Sequence, residues 1–222
     1  MRLYSGPLSM FGMKGEIAAR EKGLDFELLM VAYDGASGYE PKHPDVVRIN
    51  PKGQVPVLID GGVELFDSTQ IFEYFEDLKP EPPLWPTNVR ERAEARLLEH
   101  KSDEVFFPHV IKLFSRQQTL DDPIAVDAIA QLGEFYDIME RRMGARTFLC
   151  SAYSYADIAF YMAQLYAHRM GAPMSEAHPL LRSWRDRIAA RPAVELVMRR
   201  LMAYLGENNR PIPAFLSHLA PG

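Results

Sequence analysis

Apolar and polar positions change rhythm near residue 80. Before it, short apolar runs alternate with stretches at helical spacing. Arg2 to Ser5 and Phe26 to Ala32 read as strands, and Met10 to Lys22 reads as a helix closing at Gly23. Such a β-α-β start is a crossover unit whose two strands lie parallel. Val55 to Ile59 forms a further strand. The Asp60-Gly61-Gly62 turn and Val63 to Phe66 complete a hairpin. Ile71, Phe72, Phe75 and Leu78 then recur at helical spacing after Ser68. Together these elements predict one mixed four-stranded sheet with helices covering it.

Lys79-Pro80-Glu81-Pro82-Pro83 ends that helix and forms a stiff linker. After Asn88 every segment reads as helix. Arg90 to about Gln118 is long, with a kink expected at Pro108. Asp121 to Met143 places Ile129, Leu132, Phe135, Tyr136 and Met139 on one stripe. Ser154 to Met170 is apolar on most faces and is expected at the centre of a helical domain. Leu180, Leu181, Trp184 and Ile188 mark another helix, and Pro192 opens a last one through Val197, Leu201 and Leu205. The proline-rich tail from Asn208 is expected to wrap the surface. The organisation predicted is a sheet domain over 1–80, a linker over 81–87 and an all-helical domain over 88–222.

Bulk properties narrow the function classes. At 222 residues the chain can bury a sizeable core, and its formal charge of -5 gives no general attraction to nucleic acid or anionic membranes. Cys150 is the single cysteine, which excludes an internal disulfide, a zinc finger and Cys-x-x-Cys redox chemistry. The six histidines show no metal-ligand spacing, so no metal is expected. Gly6, Pro7 and Gly12 interrupt the apolar start, against a signal peptide, and no run approaches the length of a membrane span. A soluble cytoplasmic protein is the expectation.

Three stretches can carry chemistry. In Asn50 to Leu58, Pro56 sits where a strand would need a donor, and a cis Val55-Pro56 bond is one way to turn the chain there. The main chain of Val55 would then be free to pair with an extended peptide, as an added strand does. An edge-strand proline without function fits this stretch equally well. Asp67-Ser68 opens a helix whose N-terminus suits a carboxylate, with Asp67 available for an ammonium and Ser68 as a hydroxyl donor. Plain helix capping also explains them. Ser9 lies between the first strand and first helix, where a hydroxyl can stabilise a thiolate or simply cap the helix.

Taken in order along the chain, these stretches resemble the glutathione S-transferase family. The Val55-Pro56 strand followed by Asp67-Ser68 is similar to that family's glutathione signature. Leu3-Tyr4, Pro7-Leu8-Ser9 and Glu21-Lys22-Gly23-Leu24 resemble its opening. Ser154-Tyr155-Ala156-Asp157 resembles its capping box, a folding element, and Trp184 with Ala190-Arg191-Pro192-Ala193 its last helices. The resemblance spans nearly the whole chain.

It implies a thioredoxin-like domain followed by an all-α helical bundle, a homodimer, and glutathione as co-substrate. Val55, with Pro56 cis, would hold the cysteinyl main chain, while Asp67 and Ser68 bind the γ-glutamyl end. Gln54 and Lys52 would add contacts. Asp103 matches an acidic position that reaches the partner subunit's glutathione in some classes. Ser9 would stabilise the thiolate, as in serine-type, theta-like bacterial members. Tyr4 resembles a strand-end tyrosine common in bacterial members and ranks below it. The absence of cysteine near Ser9 disfavours thiol exchange through a protein mixed disulfide. Met10, Phe11, Phe107, Ile111 and Phe114 would line a pocket for a small hydrophobic electrophile, or pack as core. The implied activity is a transferase of detoxification type. A glutathione-dependent β-etherase or peroxidase, or a non-catalytic regulator on the same fold, is the alternative.

Overall fold

The computed structural model describes residues 1–34, 36–40 and 42–220. Its first half runs β1 (Arg2–Ser5), α1 (Met10–Glu21), β2 (Glu27–Met30), α2 (Pro44–Ile49), β3 (Val57–Asp60), β4 (Val63–Phe66) and α3 (Ser68–Leu78). The sheet order is β2-β1-β3-β4. β1 and β2 are parallel, and β3 is antiparallel to both of its neighbours. Strand alternation assigns the faces. Leu3 and Leu58, paired in register, pack with Ala19, Ile71 and Phe75 beneath α1 and α3, while Tyr4, Val57 and Ile59 turn to the other face with Val46 of α2.

The structure corrects three sequence expectations here. Helix α2 was absent from the sequence reading, because only one of its six residues, Val46, is buried and no periodic stripe exists. The second strand pairs only over Glu27–Met30, short of the expected Phe26 to Ala32. β3 begins at Val57 rather than Val55, after a cis Val55-Pro56 bond; a proline has no N–H to give the ladder.

Glu76 gathers the linker. Its carboxylate accepts from the N–H groups of Leu84 and Trp85 at 3.1 Å each and from Lys22 Nζ at 2.6 Å. Beside it Phe72 stacks on Tyr155 at 3.8 Å, and Trp85 meets both rings edge-on.

The second half comprises α4 (Val89–Lys101), α5 (Phe107–Leu113), α6 (Pro123–Met143), α7 (Tyr155–Arg169), α8 (Pro179–Ala189) and α9 (Pro192–Glu207). Instead of one long helix kinked at Pro108, α4 passes through a π-helical turn, Ser102–Phe106, into α5. α7 is buried from Tyr155 through Ala167, as its apolar composition predicts. Asp157 near its start accepts from Ser154 N–H and Leu149 N–H at 2.9 Å and from Trp184 Nε1 at 2.8 Å. The capping box thus also ties three segments together. The tail does more than wrap the surface: a 3-10 turn, Ala214–Leu219, buries Leu216 and Leu219. The main core runs without a break from Met13, Ile17 and Phe72 into the helices. Among the described residues, no helix is long and apolar enough to cross a membrane.

Candidate functional site

The loop between β1 and α1 sets Ser9. Its N–H donates to the Gly6 carbonyl at 3.0 Å, and its Oγ accepts from Gly12 N–H at 3.0 Å, so Ser9 is the N-cap of α1. With that acceptor role filled, the hydroxyl proton is available to a ligand. Gly12 is dictated by space, because a Cβ there would stand 2.2 Å from Ser5 Oγ and 3.1 Å from Ser9 Oγ. Gly6 is dictated likewise, since its Cβ would meet the Tyr39 ring at 2.5 Å. Tyr39 accepts from Leu8 N–H at 3.1 Å, which latches the β2–α2 loop onto the turn carrying Ser9. Burial pushes the Tyr39 pKa up, so the phenol stays neutral.

Asn50 shapes the second loop, accepting from Lys52 N–H at 3.0 Å and donating to the Gln54 carbonyl at 2.6 Å. The main-chain N–H and C=O of Val55 find no hydrogen-bond partner among the described residues.

The start of α3 is the third part. Asp67, at φ +74°, caps the helix by accepting from Thr69 N–H at 3.0 Å and Gln70 N–H at 3.3 Å. Ser68 is buried, and its carbonyl accepts from Tyr155 of α7 at 3.0 Å. Thr69 Oγ1 donates to Glu99 of α4 at 2.6 Å. Two elements, α7 and α4, therefore fix where this helix terminus points.

These parts border two adjoining cavities. One, about 760 Å³, is walled by Lys52, Pro56, Asp67, Ser68, Glu99 and Asp103 among others. The other, about 480 Å³, holds Ser9 and Met10 beside an aromatic wall. In that wall Phe107 meets Phe11 at 5.3 Å, Phe114 at 6.2 Å and Tyr166 at 6.3 Å, each edge-on. Phe11, Gln54, Val55, Phe107 and Ile111 line both cavities, so they form one groove. Every site residue expected from the sequence borders this groove. Tyr4 does not: its hydroxyl donates to Asp45 at 2.6 Å on the other face of the sheet.

Several groove residues escaped the sequence reading. Tyr39, Lys42 and His43 arrive on the loop after β2, where no periodicity marks them. Tyr166 was hidden in the apolar run of α7. Glu99 and Thr69 become visible only once α4 lies against α3. Asp103 sits in the wall of this same chain's groove, bonded to Lys14 of α1, which the sequence had not singled out.

The family model of the glutathione S-transferase N-terminal domain matches residues 3–83, and that of its C-terminal domain matches residues 103–192. Glutathione S-transferase 3 of Zea mays is 31% identical over 209 residues, which are 88% of this chain and 91% of that protein. A stringent starvation protein A homolog of Coxiella burnetii is 33% identical over 115 residues; the match spans 51% of each chain, about half the length of that relative. Among solved structures, a sphingomonad glutathione S-transferase complexed with glutathione superposes with a TM-score of 0.77 at 25% identity, over 90% of this chain and 98% of that one.

Proposed function

We propose that this chain, which belongs to the glutathione S-transferase family, is a glutathione transferase that presents the bound tripeptide as a thiolate to small hydrophobic electrophiles. The observation that carries the assignment of sites is the position of Val55. Its unpartnered main chain lies where the cavities meet, with Asp67 and Ser68 on one side and Ser9 on the other. An extended γ-Glu-Cys-Gly fits that order of groups. Asp67 takes the glutamyl ammonium, while Ser68 and the α3 N-terminus take its carboxylate. Val55 pairs with the cysteinyl main chain, Gln54 and Lys52 border it, and Asp103 adds a second carboxylate for the ammonium.

The chemistry follows from Ser9. A free thiol has a pKa of about 8.5, so only a few per cent is ionised near pH 7. The Ser9 hydroxyl and the N-terminus of α1 favour the anion, and each unit of lowering corresponds to about 1.4 kcal/mol. The thiol proton passes to water. The thiolate then attacks the electrophilic carbon, the new C–S bond forms, and the leaving group departs with its bonding pair. This is a serine-type assignment within the family. We further propose a cytoplasmic homodimer.

Similarity to the Coxiella relative favours a second reading, a regulator on the same fold without catalysis. Calorimetric titration with glutathione, followed by thiolate absorbance against pH, separates the two. The transferase reading expects binding at submillimolar concentration and a bound thiol that ionises below about pH 8. Absence of binding at millimolar glutathione overturns it.

A further inference from the structure

The apolar cavity holds one polar feature that a purely hydrophobic substrate would not use. Tyr39 reaches it from the loop after β2, and its ring meets Tyr33 edge-on at 4.9 Å. Its hydroxyl is seated on the turn Gly6–Ser9, which the Ser9 N–H closes onto the Gly6 carbonyl at 3.0 Å. A Cβ at Gly6 would stand 2.6 Å from the Tyr39 oxygen, and Leu8 N–H donates to that oxygen at 3.1 Å. A turn of four residues keeps its ends within about 7 Å, so this hydroxyl stands close to the place where Ser9 would hold the sulfur.

The hydroxyl is placed to give rather than to take. Its oxygen already accepts from Leu8, and its proton has no acceptor among the described residues. An N–H aimed at a phenol oxygen polarises the O–H beyond it. Burial, the first of the causes that raise the Tyr39 pKa, keeps that proton in place through neutral pH. Other polar groups of the same wall are engaged or shut away. Ser37 Oγ donates to Asp34 at 3.2 Å, Lys42 pairs with Glu40 at 3.4 Å, and His43 Nδ1 caps α2. The Tyr166 hydroxyl is closed to solvent.

We infer that Tyr39 is a further catalytic residue: its O–H donates to an oxygen carried by the electrophile, which favours aryl-substituted α,β-unsaturated ketones as substrates. The inference rests on the glutathione site and the Ser9 role proposed above. The aryl group lies against Phe11, Phe107 and Phe114, whose edge-on packing continues onto a flat ring. The thiolate attacks the β-carbon, and the C–S bond forms as the C=C pair shifts through the carbonyl onto its oxygen. No group leaves. Tyr39 meets the enolate oxygen where the charge develops. Water then delivers to the α-carbon the proton that the thiol had given up, and the carbonyl is restored. An alkyl halide carries no such oxygen, because its charge departs with the halide.

The test compares benzylideneacetone with benzyl chloride, two aryl electrophiles of similar size, on the whole protein with glutathione. Each rate is referred to the uncatalysed reaction of the same electrophile with glutathione thiolate. Wild type should accelerate the enone at least about tenfold more than the halide; a fully enclosed donor at a developing oxyanion contributes about a hundredfold or more in kcat. Tyr39→Phe keeps the ring on Gly6 and should lower kcat for the enone about 30-fold, with its KM within about twofold. Turnover of benzyl chloride should stay within about threefold, and thiolate absorbance of bound glutathione against pH should not move. An equal loss for both electrophiles, accompanied by a shifted thiolate curve, marks Tyr39 as a mere latch on Ser9 and overturns the inference. So does equal acceleration of the two electrophiles by a wild type that binds glutathione, a result obtained without any variant. A wild type that binds no glutathione at millimolar concentration instead overturns the glutathione site, and this inference with it.

Discussion

The polar cavity draws on two short stretches of chain, 50–56 and 66–70, and on one helical segment, 99–111, with Phe11 of α1 at its border. The apolar cavity gathers residues from the turn at 8–11, the loop from 31 to 46, the bend at 53–55, α5 with Phe114, and Tyr166 of α7. The first is built where local chemistry is strict: a cap, a proline bend and a helix terminus. The second is built by assembly, and any side chain of suitable size can form its walls. Grip on the constant part of a substrate pair can therefore be encoded locally. Grip on the variable part is spread over segments that meet only after folding.

This comparison can be sharpened by substitutions that act on one cavity and spare the other. The largest effect is expected for Ser9→Ala, which should raise the bound thiol's pKa by about 1 to 2 units and lower kcat near pH 6.5 by about 10- to 100-fold. The glutathione Kd should stay within about twofold. Thiolate absorbance against pH measures the first quantity, and an unchanged titration curve removes Ser9 from its role. Ser68→Ala comes next, with a glutathione Kd weakened about tenfold, in line with about 1.5 kcal/mol for a hydrogen bond to a charged group. If it raises the electrophile's KM by as much, the cavities are not separable.

Phe114→Ala should raise the KM for an aromatic electrophile about three- to fivefold, on the order of 1 kcal/mol of lost apolar contact, without moving the glutathione Kd. The smallest change, about twofold in the same KM, is expected for Ile111→Ala, whose side chain is 53% exposed. Because Ile111 borders both cavities, a larger effect on glutathione than on the electrophile would place the dividing line further into the apolar side.

The sequence was most legible where a residue type is forced by backbone chemistry. Pro56 announced a bend, Asp67-Ser68 a helix start, and Ser154 with Asp157 a capping box, and each stands where its local rule puts it. It was least legible where neighbours are distant. α2 presents one buried residue and so leaves no pattern. Tyr39 owes its place to a contact with Leu8 across 31 positions, which no window along the chain contains. Lys14 sits on an ordinary helix face, and its partners lie 85 and 89 residues away. The π-helical turn was hidden because Ser102–Phe106 has the composition of continuous helix.

α1 packs against β1, α3, α7 and α9, and reaches α4 through Lys14. Beyond Ser9 and Lys14, Glu16 pairs with Arg20 and Arg200, Glu21 with Arg191, and Lys22 with Glu76. A graft of the first eighty residues onto another scaffold would strip Met13, Ile17 and Phe72 of their cover and take Glu99 and Asp103 from Lys14, Arg200 from Glu16 and Arg191 from Glu21. The tripeptide-binding half is therefore no transplantable cassette. A designer who wants its specificity must carry the helices along, or rewrite the inward face of α1 before cutting.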